Sequence, residues 1–302
     1  MKTNRLGKSE LRVSEIGFGT MSLGNNEKQD IRMIREAIEG GVNFFDTADL
    51  YHFGAIEKTL GKALKGRRDE VVLATKAGNR WEEGKDGWYW DPSKAYLKEA
   101  LKKSLQRLET DYVDLFQLHG GTIDDPIDES IEGLEELKQE GLIREYGISS
   151  IRPNVIREYV KRSNMVSVMM QYSILDRRPE EEMLALLAEN DISVIARGPI
   201  AKGMLTERAK KKTPEKGFLG YERDEIVEIA KKVEAMASDT RTPAQIALRY
   251  SLSHPAVAAA VPGASSSKQL QENIGAANAA LTEAELADIR GYSRANVYEK
   301  HR

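Results

Sequence analysis

Short apolar segments alternate with longer amphipathic segments along most of the chain, and this alternation is the strongest constraint on the fold. The apolar segments have the length of β-strands, whereas the longer ones repeat apolar residues three and four positions apart, as helices do. Repeated strand–helix units predict a parallel sheet covered by helices. The strands are predicted at residues 15–20, 43–46, 71–76, 113–119, 145–149, 166–171, 192–197 and 256–261. The helices are predicted at 29–39, 56–64, 92–108, 128–139, 153–161, 179–189 and 268–277, with further helices after the seventh strand.

The number of units and the placement of reactive residues favour a closed barrel. Several strands are nearly continuous apolar runs, such as Val71-Val72-Leu73-Ala74, which is typical of strands buried on both faces. An open doubly wound sheet would share the alternation. Eight strands, with reactive residues at the ends of several of them, favour a TIM barrel, the (β/α)8 form of the α/β class. We expect an N-terminal β-hairpin within residues 5–13, extra C-terminal helices, and one domain over residues 1–302.

Composition excludes several classes of function. The 302 residues carry a formal net charge of −3, so no global basic field favours binding to nucleic acid or to an anionic membrane. The chain contains no cysteine, which excludes disulfides and thiolate chemistry, and its histidines show no paired metal-ligand spacing. No signal-peptide core and no apolar run of the roughly 20 residues that cross a bilayer is present. We expect a cytoplasmic monomer without a metal site that acts on a small molecule.

Four reactive side chains follow three neighbouring predicted strands. Asp46 and Tyr51 come at and just beyond the second strand, Lys76 ends the third and His119 ends the fourth. Each of them alone has an ordinary explanation, such as a capping acid, a packing tyrosine or a structural histidine. The lysine is harder to explain, because an ammonium group at the end of an apolar strand needs a partner. A barrel would bring all four side chains to one rim, so their joint occurrence predicts a catalytic site.

The segments around these four residues resemble the signature positions of the aldo-keto reductase family. The segments are Gly17-Phe18-Gly19-Thr20, Asp46-Thr47-Ala48-Asp49-Leu50-Tyr51, Ala74-Thr75-Lys76 and Leu118-His119. The resemblance runs from near Leu6 to near Leu286, and it is to bacterial, NADPH-dependent members related to the branch that includes channel β-subunits. It implies a barrel that binds NADP(H) and reduces an aldehyde or ketone to an alcohol.

The resemblance also implies a role for each of the four side chains. Hydride addition builds negative charge on the carbonyl oxygen, so an acid must supply a proton, and Tyr51 is expected to be that acid. Lys76 would stabilise the phenolate, Asp46 would hold Lys76, and His119 would donate to the carbonyl oxygen and orient the substrate. Two alternatives stay open. One is a Schiff-base barrel aldolase acting through Lys76, which would have to be neutral; the other is a cofactor-binding regulatory subunit without turnover.

No Gly-x-Gly-x-x-Gly segment opens a strand–helix unit, so a Rossmann site is not expected. The resemblance implies instead a cofactor that lies extended across the barrel rim. NADPH is favoured over NADH, because three serines, backbone amides and a lysine at residues 263–268 suit a phosphate. The residues that the resemblance assigns to cofactor binding are Thr20, Met21, Asp46, Ser149, Gln171, Arg197, Gly198, Pro199, Ala201, Lys202, Gly203, Gly263, Ser265, Gln269, Glu272 and Asn273.

Three positions depart from the family pattern near the nicotinamide end. Ser150 stands where an asparagine is usual, and Met169 aligns with the carboxamide-binding glutamine. Arg197 stands where an aromatic residue usually stacks on the nicotinamide. A guanidinium plane can also stack, but it would repel the positively charged ring of NADP+. We expect Arg197 to be held by an acid or to reach a cofactor phosphate; the alternative is that it turns outward to the rim.

The substrate pocket is expected to be aromatic. Gly120-Gly121 follow His119 and remove bulk beside it, and the loop after the third strand carries all three tryptophans. Trp81, Trp88 and Trp90 could form a wall above the histidine. An apolar pocket with few polar anchors favours hydrophobic aldehydes over open-chain sugars.

Overall fold

The computed structural model describes residues 1–82 and 84–302 and contains a barrel with two small hairpins attached to it. The described strands are, in chain order, β1 (Thr3–Arg5), β2 (Arg12–Ser14), β3 (Phe18–Gly19), β4 (Phe44–Asp46), β5 (Val72–Ala77), β6 (Asn79–Arg80), β7 (Tyr89–Trp90), β8 (Val113–Leu118), β9 (Ile143–Ser149), β10 (Ser167–Gln171), β11 (Ser193–Arg197) and β12 (Val257–Val261). The hairpins β1–β2 and β6–β7 are antiparallel.

The other eight strands form one parallel sheet in which spatial order follows chain order, from β3 and β4 through β5, β8, β9, β10 and β11 to β12. The sheet closes through parallel bridges from Ile16 to Ala260 and from Gly19 to Gly263. The Gly17 amide donates to the Ala260 carbonyl at 2.8 Å across this seam. The predicted (β/α)8 barrel is therefore confirmed, and the open-sheet alternative is wrong.

Helices cover the outside of the barrel between the strands. In the described part of the chain they are α1 (Glu27–Glu39), α2 (Ala55–Leu64), α3 (Lys94–Leu108), α4 (Ile127–Gln139), α5 (Pro153–Arg162), α6 (Met183–Glu189), α7 (Ala209–Lys212), α8 (Arg223–Ala235), α9 (Pro243–Ser251), α10 (Ser267–Gly275) and α11 (Glu283–Tyr292). The capping serines and threonines fit the helix starts, as where the Thr242 hydroxyl accepts from the Gln245 amide at α9. None of these helices is both long and apolar enough to cross a bilayer.

The barrel strands are buried on both faces because two separate apolar layers cover them. Side chains such as Phe44, Leu115 and Ile195 fill the inside of the barrel, together with Leu6 and Val13 of the β1–β2 hairpin. A larger cluster lies between the strands and the helices. The hairpin packs at the N-terminal ends of the strands, so the opposite rim, at their carboxyl ends, stays open.

Two elements are shorter than the sequence predicts by more than two residues. The first barrel strand is regular only over Phe18–Gly19, because its pairing to β12 is made of isolated bridges. The helix predicted at 179–189 begins as a 3-10 turn at Arg178–Glu180, and the α-helix starts only at Met183. Pro179 at the start of that turn has no amide to donate, which suits a helix end.

The polar C-terminal tail packs against the barrel rather than fraying. The Asn296 side chain donates to the Leu175 carbonyl at 3.1 Å and accepts from the Arg177 amide at 2.8 Å. The Tyr298 ring is buried against the Arg178 guanidinium, whose central carbon lies 4.8 Å from the ring centroid. The tail thus supports the loop that follows β10 at the open rim.

Candidate active site

The barrel register brings the predicted reactive side chains together. β4, β5 and β8 are adjacent, with Asp46 opposite Ala74 and Lys76 opposite Gln117. Asp46 is the last residue of β4 and Lys76 the next-to-last residue of β5, and both side chains lie on the inward face. Tyr51 reaches the same point from the loop after β4, and His119 follows the last residue of β8. All four line one large cavity at the open rim.

Lys76 is fully buried, and its ammonium group is surrounded by oxygen atoms. The Lys76 Nζ donates to Asp46 Oδ2 at 2.7 Å, to the Thr47 carbonyl at 2.8 Å and to the Tyr51 hydroxyl at 3.5 Å. An ammonium group has three protons to donate, so these three acceptors match its capacity. Because Lys76 only donates, the Tyr51 oxygen accepts from it, and the phenolic proton remains available to a partner in the cavity.

Electrostatics favour the charged form of Lys76. Burial lowers the pKa of Lys76, but the nearby Asp46 carboxylate and the Tyr51 phenol raise it more, so the pKa is raised overall. Burial also raises the pKa of Asp46 against the opposing effects of Lys76 and Gln117. The 2.7 Å contact between the two groups supports the ion pair, because it compensates both buried charges. A protonated Lys76 has no free amine with which to form a Schiff base.

His119 is a neutral imidazole in this site. Burial lowers the pKa of His119 to about 3, and the positive charges of Lys76 and Arg197 act in the same direction. Its ring stands edge-on to the Tyr51 ring, with centroids 6.1 Å apart. The buried Nδ1 has no hydrogen-bond partner among the residues described. The imidazole can therefore form a hydrogen bond with a molecule in the cavity.

Gln117 was not identified from the sequence, although it belongs to the site. It is fully buried, and its Nε2 lies 3.4 Å from Asp46 Oδ1, opposite the oxygen that holds Lys76. The available signal was a polar residue inside the otherwise apolar run Phe116-Gln117-Leu118. Such a residue must find a buried partner, since an unpaired amide inside a core is costly.

The cavity has a volume of about 1110 Å³, more than the 300–1000 Å³ usual for a drug-sized ligand. Residues predicted to bind the cofactor line it, and only Thr20 of that set does not. The buried Thr20 hydroxyl instead donates to the Asp46 carbonyl at 3.0 Å. The lining includes Met21, Asp46, Ser149, Gln171, Arg197, Gly198, Pro199, Ala201, Lys202, Gly203, Gly263, Ser265, Gln269, Glu272 and Asn273. The lysine predicted at the phosphate end, Lys268, also lines the cavity. Cationic lining residues that the sequence did not point to are Arg152, Arg208 and Lys212.

One end of the cavity has donors suited to phosphate. Ser266 caps α10 by accepting from the Gln269 amide, and Ser265 donates through both its amide and its hydroxyl to Gln269 Oε1. Lys268 stands in the first turn of the same helix. A helix N-terminus with a lysine beside it attracts anions, because free amide groups and the helix dipole both favour negative charge.

Arg197 is held by an amide and not by an acid, so the expected acid partner is wrong, whereas contact with a cofactor phosphate stays a prediction. Its Nη1 donates to Gln171 Oε1 at 3.0 Å. The nearby carboxylate of Asp176 is already taken by Arg178 and by the Gln171 amide nitrogen. Arg197 does not turn outward; it lines the cavity, and its charge lowers the pKa of both Asp46 and His119.

The prediction of a tryptophan wall at the cavity is partly wrong. Trp88 and Trp90 line the cavity, but Trp81 does not: it packs against Phe53, with ring centroids 5.5 Å apart, and against Arg107. Trp90 is fixed by donating to Asp125 Oδ1 at 3.0 Å. A Cβ atom added to Gly120, whose φ is +144°, would lie 3.1 Å from the Trp90 ring. The space left beside His119 by this glycine is therefore filled by Trp90.

The chain matches known proteins over almost its whole length. The profile of the Aldo/keto reductase family matches residues 15–294. The Uncharacterized oxidoreductase YqkF of Bacillus subtilis is 55% identical over 307 residues, covering 100% of both chains. The NADH-specific methylglyoxal reductase of Escherichia coli is 31% identical over 323 residues, covering 98% of this chain and 99% of its own.

Among solved structures, the holo form of aldo-keto reductase AKR11C1 from Bacillus halodurans superimposes with a TM-score of 0.94. It is 56% identical in sequence, over 100% of this chain and 99% of its own. The chain therefore belongs to the aldo-keto reductase family, a family of oxidoreductases that use a nicotinamide cofactor.

Proposed function

We propose that this aldo-keto reductase reduces aldehydes or ketones to alcohols with NADPH, and that Tyr51 delivers the proton. The observation that carries the proposal is the saturated Lys76 ammonium group, which donates to Asp46, Thr47 and Tyr51. When bound, the reduced nicotinamide supplies the hydride. Negative charge then grows on the carbonyl oxygen, and the Tyr51 hydroxyl, with its proton directed into the cavity, neutralises that charge.

Lys76 and Asp46 support this proton transfer without taking part in bond formation. The Lys76 ammonium group stabilises the phenolate that Tyr51 becomes, because opposite charges attract strongly in a buried site. Asp46 keeps Lys76 charged and directed at the phenol, and Gln117 occupies the other carboxylate oxygen of Asp46. A charged Lys76 disfavours the alternative Schiff-base aldolase.

His119 acts as a neutral donor to the carbonyl oxygen. Its low pKa, which burial produces, keeps the imidazole uncharged across the physiological range. A neutral imidazole can polarise a carbonyl group through its N–H without losing that proton, so the roles of His119 and Tyr51 stay distinct.

In this proposal the cofactor runs along the cavity with its nicotinamide end beside Asp46, Ser149 and Arg197. The adenosine end lies at α10, where the serine-rich start of the helix and Lys268 would hold the 2′-phosphate of NADPH. NADH is the alternative, since the Escherichia coli relative is an NADH-specific methylglyoxal reductase.

The Tyr51→Phe variant tests the mechanism. It removes one hydroxyl group and keeps the ring, so reduction should fall by about 10²–10⁴-fold while NADPH binding, followed by fluorescence, persists. Tyr112→Phe is the matched control, because Tyr112 packs between Arg68 and Arg144 and does not line the cavity. Unchanged turnover in Tyr51→Phe would refute the mechanism. Wild-type binding of NADPH without turnover of any carbonyl would instead favour the regulatory-subunit alternative.

The substrate is proposed to be a hydrophobic aldehyde. Trp88 and Trp90 form an apolar part of the cavity lining near His119, and about half of the Trp88 side chain is exposed. Long aliphatic chains would cover this surface, whereas short aldehydes would not reach it.

Tryptophan variants test this substrate class. Trp90→Ala and Trp88→Ala should lower kcat/KM for a long-chain aldehyde by about tenfold more than for a short one, because roughly one to three kcal/mol of apolar contact is lost. Trp81→Ala is the matched control, since Trp81 packs outside the cavity. Equal losses on long and short aldehydes would exclude an aromatic wall.

A further inference from the structure

A continuous chain of polar contacts leads from the cavity to the loop after β10. Arg197 Nη1 donates to Gln171 Oε1 at 3.0 Å, and Gln171 Nε2 donates to Asp176 Oδ2 at 2.8 Å. Asp176 also accepts two bonds from Arg178, each of 2.7 Å. The four side chains, called here the Arg197–Asp176 relay, consist of Arg197, Gln171, Asp176 and Arg178.

Donor and acceptor chemistry permits one arrangement of the relay. A guanidinium group only donates, and a carboxylate only accepts. Gln171 stands between one of each, so its oxygen must face Arg197 and its nitrogen must face Asp176. The carboxylate of Asp176 thus determines which way the Gln171 amide points, and that amide determines where Arg197 finds its acceptor.

The far end of the relay is rigid. Asp176 is fully buried, and its amide donates to the Ser173 carbonyl at 3.0 Å within a closed turn. Arg178 lies under the buried ring of Tyr298, and Asn296 ties the same loop to the tail. A buried bidentate ion pair inside such a turn has little freedom to rearrange.

We propose that Asp176 and Gln171 are positioning residues that hold the Arg197 guanidinium against the nicotinamide end of the cofactor. This inference rests on the proposed function, in which the cofactor occupies the cavity with that end beside Arg197. Neither Asp176 nor Arg178 lines the cavity, so their hydrogen bonds reach the cavity through Gln171. The nicotinamide ring is neutral in NADPH and positive in NADP+, so a fixed guanidinium raises the Kd of NADP+ relative to that of NADPH.

A double-mutant cycle tests the relay. In Asp176→Asn the new amide must turn its oxygen to Arg178 and its nitrogen to Gln171. If the Gln171 amide keeps its orientation, its nitrogen then faces the new amide nitrogen; if it flips, its nitrogen faces the Arg197 guanidinium. Either way two hydrogen-bond donors face each other. One charged hydrogen bond is lost, and the ratio of Kd for NADP+ to Kd for NADPH should fall by about tenfold. Gln171→Glu alone places a second carboxylate in contact with that of Asp176, and it should also change the ratio of the two Kd values.

The double variant Asp176→Asn/Gln171→Glu restores the order of donors and acceptors at unchanged net charge. The carboxylate introduced at position 171 would accept from both Arg197 and the new amide, so the melting temperature lost in Asp176→Asn should return most of the way to the wild-type value. The Kd ratio should stay low, because the new carboxylate offsets the Arg197 charge beside the nicotinamide ring. A melting temperature that does not recover in the double variant overturns the relay. If Asp176→Asn does not fold, Gln171→Met breaks the same chain at a half-buried position and should lower the ratio alone.

Two controls separate the possible failures. Asp114→Asn breaks another largely buried ion pair, between Asp114 and Arg68 at 2.7 Å, outside the cavity lining. It should lower the melting temperature and leave the Kd ratio unchanged; an equal fall in the ratio would overturn the positioning role. Arg197→Met removes the guanidinium itself. If it leaves the ratio unchanged, the proposed cofactor placement fails; if it lowers the ratio and Asp176→Asn does not, the relay fails.

Discussion

The burial of His119 predicts that the free energy of unfolding falls at acid pH. The side chain is held at the end of β8, where its backbone amide donates to the Ala77 carbonyl at 2.7 Å. Burial, with the charges of Lys76 and Arg197, lowers the pKa of His119 from its usual value to about 3. In the unfolded chain the same imidazole titrates near about 6.5, so the folded and unfolded states bind protons differently.

The sign of the effect follows from a lowered pKa in the folded state. Above about pH 6.5 the imidazole is neutral in both states, and its contribution to stability is fully present. Below that pH the unfolded state takes up the proton first, so stability is lost by about 1.4 kcal/mol per pH unit down to about pH 3. At pH 5 the loss amounts to about 2 kcal/mol relative to pH 8.

The His119→Gln variant isolates this contribution, because glutamine does not titrate and every other group remains in both proteins. The free energy of unfolding is measured by urea titration at pH 8, 6.5 and 5 for the wild type and the variant. The wild type should lose about 2 kcal/mol relative to the variant between pH 8 and pH 5. A difference between the two proteins that is constant over this range would refute a buried, neutral His119. NMR titration of the ring measures the pKa directly.

Two further predictions concern Asp49 and Lys268. Burial, together with the neighbouring Glu57, raises the pKa of Asp49 to about 7. The folded state therefore keeps the proton, and the stability it contributes is present at acid pH and lost as pH rises from about 4 to 7. In Asp49→Asn the side chain stays neutral, so the free energy of unfolding should rise by about 4 kcal/mol relative to the wild type between pH 4 and pH 8. Urea titrations measure this, and an equal pH dependence in the two proteins would contradict it. Lys268→Ala should raise KM for NADPH by about tenfold and leave KM for NADH unchanged, and equal changes would exclude a 2′-phosphate contact at α10.

Most of the fold could be predicted because the strands are buried on both faces. A strand such as β5, buried at every position from Val72 to Ala77, appears in the sequence as a largely apolar run that ends at a turn. The first strand could not be placed as well, because isolated bridges to β12 carry its pairing. Those bridges join residues near opposite ends of the chain, Ile16 with Ala260 and Gly19 with Gly263, and no local pattern records them.

The four reactive residues could be predicted because each ends or follows a strand, and the barrel fixes where strand ends lie. The partner of Arg197 could not be predicted, because Arg178 and Arg197 both need an acceptor in the same region. The Asp176 carboxylate acts on Arg197 through its charge, but Arg178 occupies that carboxylate with two bonds. The position of Trp81 was predicted wrongly for a similar reason, because its ring packs against Phe53 and Arg107 and not at the cavity.

The candidate active site is a consequence of strand register, and β5 shows why. Val72, Ala74 and Lys76 face the inside of the barrel, whereas Thr75 faces the helices and donates to Glu57 of α2 at 2.6 Å. A slip of one residue would exchange the two faces. It would turn the ammonium group away from Asp46 and Tyr51 and towards the helices, and it would leave the buried Asp46 without its cation. Because that exchange breaks a buried ion pair, which costs about 3–5 kcal/mol, the Asp46–Lys76 pair itself stabilises the register that creates it.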